Sequence, residues 1–89
     1  MNSYLVDEFF TMYRALPVKV REHARQAYAL FARDPHHPGL RFKRVQSTRP
    51  IYSARVGMDY RVVGIRDGDD IYWFWIGSHA EYNALLNRL

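Results

Sequence analysis

The stretch IYSARVGMDYRVVGIRDGDDIYWFWIGSHAEY, residues 51–82, decides how this chain reads. It splits into three apolar runs, Ile51–Val56, Tyr60–Arg66 and Ile71–Ile76. Gly57, Met58 and Asp59 separate the first two, and Asp67, Gly68, Asp69 and Asp70 the last two. β-Branched and aromatic side chains suit a pleated surface, while Gly and Asp suit the turns between strands. Connections this short join antiparallel neighbours, so the stretch predicts a meander. Gly77 and Ser78 then lead into a helix from about His79 to Arg88, with Ala80, Leu85 and Leu89 near one face.

Working outward, Leu40–Gln46 reads as a further strand, set off from Ile51 by Ser47, Thr48, Arg49 and Pro50. Before it lies a turn-rich breaker, Asp34 to Gly39, with two prolines and two histidines. Two helices precede the breaker. Val6, Phe9, Phe10 and Tyr13 follow the i, i+3, i+4, i+7 spacing of an amphipathic helix, with Ser3 or Asp7 as its cap. Leu16 and Pro17 end it, because a proline disfavours the helical conformation in the residue before it. Pro17 then opens a second helix to about Arg33, with Val20, Ala24, Ala27 and Phe31 as its buried stripe. The small Ala24 and Ala27 predict close packing on the first helix. No strand is assigned to Met1–Tyr4. The expected fold is α+β: an N-terminal helical hairpin on a four-stranded, mainly antiparallel sheet, then a C-terminal helix, all in one domain over residues 1–89.

Composition narrows the function classes. At 89 residues the core is small, and an aromatic content of 16% is one way to fill it. The absence of cysteine excludes disulfides and cysteine–zinc sites, and fits a reducing cytoplasm. There is no apolar run of membrane-spanning length, and the first residues lack the basic and apolar regions of a signal peptide. The net charge is +4 and unevenly spread. Between Arg41 and Arg66 seven basic residues face one acid, Asp59, so this segment carries +6 and the remainder −2. All the basic residues but Lys19 and Lys43 are arginines, which suit bidentate contacts with phosphate or carboxylate. The segment is either a solvated sheet edge or a surface for a polyanion or an acidic protein.

Several strings, in this order, resemble the RelE/ParE superfamily of toxins from type II toxin–antitoxin systems. They are His37–Lys43, which resembles the loop feeding the sheet; Tyr52–Val56 followed by the Tyr60-Arg61 pair, which resembles the two central strands; and Trp73–Tyr82, which resembles the last strand and its turn into the helix. The similarity runs from about Pro17 to Leu86. Family members usually begin with an N-terminal strand. The resemblance implies one of two activities: metal-independent cleavage of messenger RNA on the ribosome, or ParE-type inhibition of DNA gyrase without catalysis. It also implies neutralisation by a cognate antitoxin that wraps the toxin. A domain that keeps the fold and binds RNA or protein without toxicity is the third reading.

Cleavage of RNA without a metal needs a base for the 2′-hydroxyl, a donor for the leaving 5′-oxygen, and cations for the charge that develops on phosphorus. The resemblance places Arg61 beside the scissile phosphate, with Arg55 on the neighbouring strand and Arg41, Lys43 and Arg44 as further RNA contacts. Whether Arg55 and Arg61 share a face is not fixed by the residues alone. His79 matches a position where family members carry histidine or arginine, and histidine exchanges protons near neutrality. Tyr82 lies three residues on, on the same helix face, and is expected to stack or donate. Trp73 and Trp75 share a strand face by alternation, with Tyr72, Phe74 and Ile76 on the other. The best-known ribosome-dependent nucleases carry two lysines on the second strand, where this chain has Ser53 and Arg55. Neither replaces a lysine as a proton carrier, so proton transfer falls more heavily on His79. The adjacent His36 and His37 make a poor metal pair, and no cofactor is expected.

Overall fold

The computed structural model describes residues 1–89. The elements run β1 (Asn2–Leu5), α1 (Asp7–Arg14), α2 (Val18–Arg33), a 3-10 turn (Pro38–Leu40), β2 (Lys43–Arg44), β3 (Ile51–Val56), β4 (Tyr60–Asp67), β5 (Asp70–Ser78) and α3 (His79–Arg88). The sheet has five strands in the order β1-β5-β4-β3-β2. Strands β2 to β5 pair antiparallel with their sequence neighbours, as the meander predicts. The fifth strand is the correction: Asn2–Leu5 lies parallel to β5, pairing Asn2 with Asp70 and Leu5 with Trp73. Its four residues carry too short an alternation to announce a strand, and it is fixed by distant partners. The Trp73 indole N–H donates to Ser3 Oγ at 2.8 Å, and the Asn2 amide to Asp70 at 2.9 Å.

The sheet has two unlike faces. The N-terminal helices cover one, where Phe31, Leu40, Ala54, Val56, Trp73 and Ile76 form the larger core. Phe31 meets Phe42 edge-on at 5.0 Å and Trp73 at 5.4 Å, geometries that aromatic pairs favour. Helix α3 crosses the other face, burying Tyr82 and Leu85 against Ile51 and Val63. Burying each large apolar side chain stabilises the fold by roughly 1.5–3 kcal/mol, so a chain of this size depends on both layers. Ala80, expected on the packed side of α3, is exposed.

Three local expectations change. The first strand of the meander shrinks to Lys43–Arg44, because Pro38–Leu40 forms a 3-10 turn and Arg41 takes a left-handed conformation with φ 47°. Val6, rather than Ser3 or Asp7, caps α1 and contributes no side-chain hydrogen bond. The two N-terminal helices also do not close on each other through Ala24 and Ala27. Those alanines line an apolar cleft of about 280 Å³ between α1 and α2, walled by Phe9, Phe10, Tyr13 and Tyr28. No helix is long and apolar enough to cross a membrane.

Candidate functional site

Strand register assembles the site on the α3 side of the sheet. Arg55 and Arg61 are directly opposed across β3 and β4, so their side chains leave the same face about 4.5–5.5 Å apart at Cβ. Ser53 and Val63 are opposed two residues along and lie on that face too. Lys43 on β2 is directly opposite Ser53 and therefore joins them. Arg41 is near enough that its charge acts on Arg61. Four cations, Arg41, Lys43, Arg55 and Arg61, thus gather on one surface. Arg44 does not join them. It is opposite Tyr52, on the face toward the N-terminal helices, and its guanidinium donates to the Gln46 and Ser47 carbonyls.

The cations are held by neutral groups. Arg55 Nε donates to the Gly57 carbonyl at 2.8 Å, with a further contact to Met58 Sδ at 3.0 Å. Arg61 donates to the Tyr60 carbonyl at 3.1 Å and lies over the Tyr82 ring at 6.0 Å, a cation–π arrangement. Partial burial is the main cause that lowers the Arg61 pKa from its ordinary value, followed by repulsion from Arg55 and, more weakly, Arg41. The Tyr82 side acts the opposite way. Arginine remains protonated through such a shift, so the shift records a charge held where burial, and then the neighbouring Arg55, disfavour it. Like charges directly opposed on a sheet are destabilising. A polyanion seated there would offset that cost.

Tyr82 is placed as the floor of this site. It is 5% exposed, and its hydroxyl donates to Ser53 Oγ at 3.0 Å. Ser53 is itself buried, which explains a serine at this strand position: it satisfies the tyrosine hydroxyl inside the sheet–helix interface. Sequence reasoning did not single it out as a partner, because nothing local signals a bond across 29 residues. His79 is exposed at the first turn of α3, its ring 5.9 Å from that of Tyr82. Its backbone N–H donates to the Asp59 carbonyl at 2.7 Å, which ties the start of α3 to the β3–β4 turn.

The α3 start is built by a capping box that the sequence does spell, as Ser78 and Glu81 three apart. Ser78 Oγ accepts from the Glu81 N–H at 3.2 Å, and Glu81 Oε1 accepts from the Ser78 N–H at 2.9 Å. Hydrogen bonding from the Ser78 backbone N–H, and then from the Ser78 side chain, holds the Glu81 carboxyl below its usual pKa. The β3–β4 turn is as tightly specified. Gly57 has φ +59°, and a Cβ there would stand 2.7 Å from His23 Nδ1 of α2.

The two tryptophans part company. Val63 pairs with Trp75 and Gly64 with Trp73, so Phe74 is an extra residue, a bulge in β5. Beyond it the alternation flips. Trp73 enters the core under the N-terminal helices, while Trp75 packs toward α3, the reverse of their expected shared face. Of the adjacent histidines, His37 accepts from the Gly39 N–H at 3.0 Å and caps the 3-10 turn. No three His, Asp or Glu side chains gather as a metal cage would need.

A family model described as a ParE-like toxin domain matches residues 18–84. No curated protein sequence matches the chain at a significant level. Among solved structures, the chain is similar to the RelB–RelE antitoxin–toxin complex of Methanococcus jannaschii, at TM-score 0.73 and 16% identity over 92% of this chain and 96% of that one. It is similar to YafQ of E. coli at TM-score 0.70 and 12% identity, over 91% and 96% of the two chains. It is also similar to the YoeB dimer of Staphylococcus aureus at TM-score 0.67 and 17% identity, over 89% and 97%. At these identities the likeness is one of fold.

Proposed function

The chain belongs to the family of ParE-like toxin domains, and from that premise we propose that it is the toxin of a toxin–antitoxin pair that cuts messenger RNA on the ribosome without a metal ion. The observation that carries the nuclease reading is the directly opposed pair Arg55 and Arg61. Two guanidinium groups held side by side by carbonyls, with Arg41 and Lys43 at their flank, make a phosphate clamp. Arg61 rests on Tyr82, and exposed His79 offers proton exchange at the edge of that clamp.

The proposed partners are ribosome-bound mRNA and an antitoxin, as in the solved RelB–RelE complexes. The apolar cleft between α1 and α2 is the surface we assign to the antitoxin. Arg25 lines it, donating to the Tyr13 hydroxyl at 2.7 Å, and Arg14 lies over the Phe10 ring. A cleft of that kind, rimmed by arginines, fits an amphipathic helix with acidic flanks.

The test is induction in cells, with ribosome-bound mRNA mapped for breaks and gyrase assayed in parallel. The expected result is mRNA cleavage that Arg61→Ala and His79→Ala abolish. Intact mRNA with inhibited gyrase overturns the nuclease reading in favour of the ParE-type activity. Cleavage that persists in both variants overturns the residue assignment.

A further inference from the structure

We propose that Lys43 is a catalytic residue of this site, the general acid for the leaving 5′-oxygen, working across the clamp from His79 as base. The proposal rests on the nuclease reading above and assigns the proton it leaves unaccounted for. Cleavage moves two protons, one off the 2′-hydroxyl and one onto the 5′-oxygen. Attack and departure occur at opposite sides of phosphorus, so the two proton carriers belong on opposite flanks of the bound phosphate.

The site supplies few carriers. Arg41, Arg55 and Arg61 neutralise charge but do not release protons. Tyr82 is buried, and its hydroxyl proton is committed to Ser53 Oγ. Asp59 sits on the His79 side, its carbonyl bound by the His79 N–H. His79 follows directly on β5, at one flank of Arg61. The opposite flank belongs to β2, and there the exposed Lys43 is the only group able to give up a proton. Its register opposite Ser53 sets it beside the Tyr82 hydroxyl, two strands across and two residues along from Arg61, roughly 12 Å between backbones. Side chains as long as lysine and arginine can span that gap and reach one phosphate seated between them.

The step balances. The neutral His79 imidazole takes the 2′-hydroxyl proton, and the 2′-oxygen forms a bond to phosphorus as the bond from phosphorus to the 5′-oxygen breaks. The Lys43 ammonium gives its proton to that oxygen. The products are a 2′,3′-cyclic phosphate and a 5′-hydroxyl, with imidazolium and amine left to exchange protons through water.

The experiment uses Lys43→Arg, which keeps the positive charge and removes the transferable proton. Ribosomes are programmed with ordinary mRNA, or with mRNA carrying one 5′-bridging phosphorothiolate at the cleavage site, whose sulfur leaves without protonation. On ordinary mRNA the variant is expected to lose about a hundredfold or more in cleavage rate, with RNA affinity unchanged. On the phosphorothiolate the loss is expected to be largely regained, whereas the loss in His79→Ala persists on both. Near wild-type cleavage of ordinary mRNA by Lys43→Arg, or an equal loss on both substrates, overturns the proposal while the nuclease reading stands. An unmodified chain that leaves both substrates intact overturns both.

Discussion

The Tyr82 hydroxyl donates to Ser53 Oγ at 3.0 Å, joining α3 to the central strand β3 in a buried setting. Removing one partner strands the other without a hydrogen bond. Tyr82→Phe and Ser53→Ala are each expected to cost about 1–2 kcal/mol of unfolding free energy. The double variant should cost less than the sum, because both ends of the pair are then gone. Urea denaturation of the three variants measures this coupling. Additive losses would show that the bond contributes nothing. If Tyr82 acts as a floor rather than a proton donor, Tyr82→Phe also retains cleavage wherever it remains folded.

The clamp makes the opposite prediction for stability. Arg61→Ala relieves a repulsion and removes no bond to a carboxylate, so thermal unfolding at low salt is expected to be unchanged or slightly higher. Its RNA affinity should fall, and the slope of log affinity against log salt should shrink by about 0.7 for each single-strand phosphate the variant no longer neutralises. Titrations at several salt concentrations give that slope. Unchanged affinity with lowered stability would make Arg61 structural.

Gly57 joins a left-handed turn to a close approach of His23. Gly57→Ala is expected to destabilise the chain by at least about 1 kcal/mol, from the backbone conformation alone. Pairing it with His23→Ala should recover only the part due to the collision. Full recovery in the double variant would show that the φ of +59° carries no cost.

Glu81 gives the pH dependence. Its carboxyl titrates below the ordinary value in the folded chain because the Ser78 N–H donates to it. A depressed folded pKa means that stability is fully present above the unfolded value and is lost as pH falls through the folded one. The stability of the parent chain relative to Glu81→Gln should therefore rise from acid pH and level off towards neutrality. A pH-independent difference would rule this linkage out. Ser78→Ala, which removes the cap itself, is expected to cost about 1 kcal/mol at neutral pH.

Much of the fold was legible because it is local. Val6, Phe9 and Tyr13 spell α1, and Gly57 and Gly68 stand at the turns of the meander. What the residues concealed depends on partners far along the chain. The Phe74 bulge reverses the faces of Trp73 and Trp75, and an alternating pattern carries no mark of one inserted residue. Arg55 and Arg61 were legible as candidates, but only the register of β3 against β4 puts them on one face. The same register logic separates Lys43, opposite Ser53, from Arg44, opposite Tyr52.

The parallel pairing of β1 with β5 has a consequence for synthesis. The Asn2 side chain bonds Asp70, 68 residues later, so the first strand made waits for the last strand before its backbone groups are paired. Such non-local closure is slow compared with the β3–β4 hairpin. A nascent chain therefore carries its opposed arginines on a local hairpin well before the sheet that supports them is complete. Competence should arrive abruptly, when the Trp73 indole finds Ser3, rather than growing strand by strand.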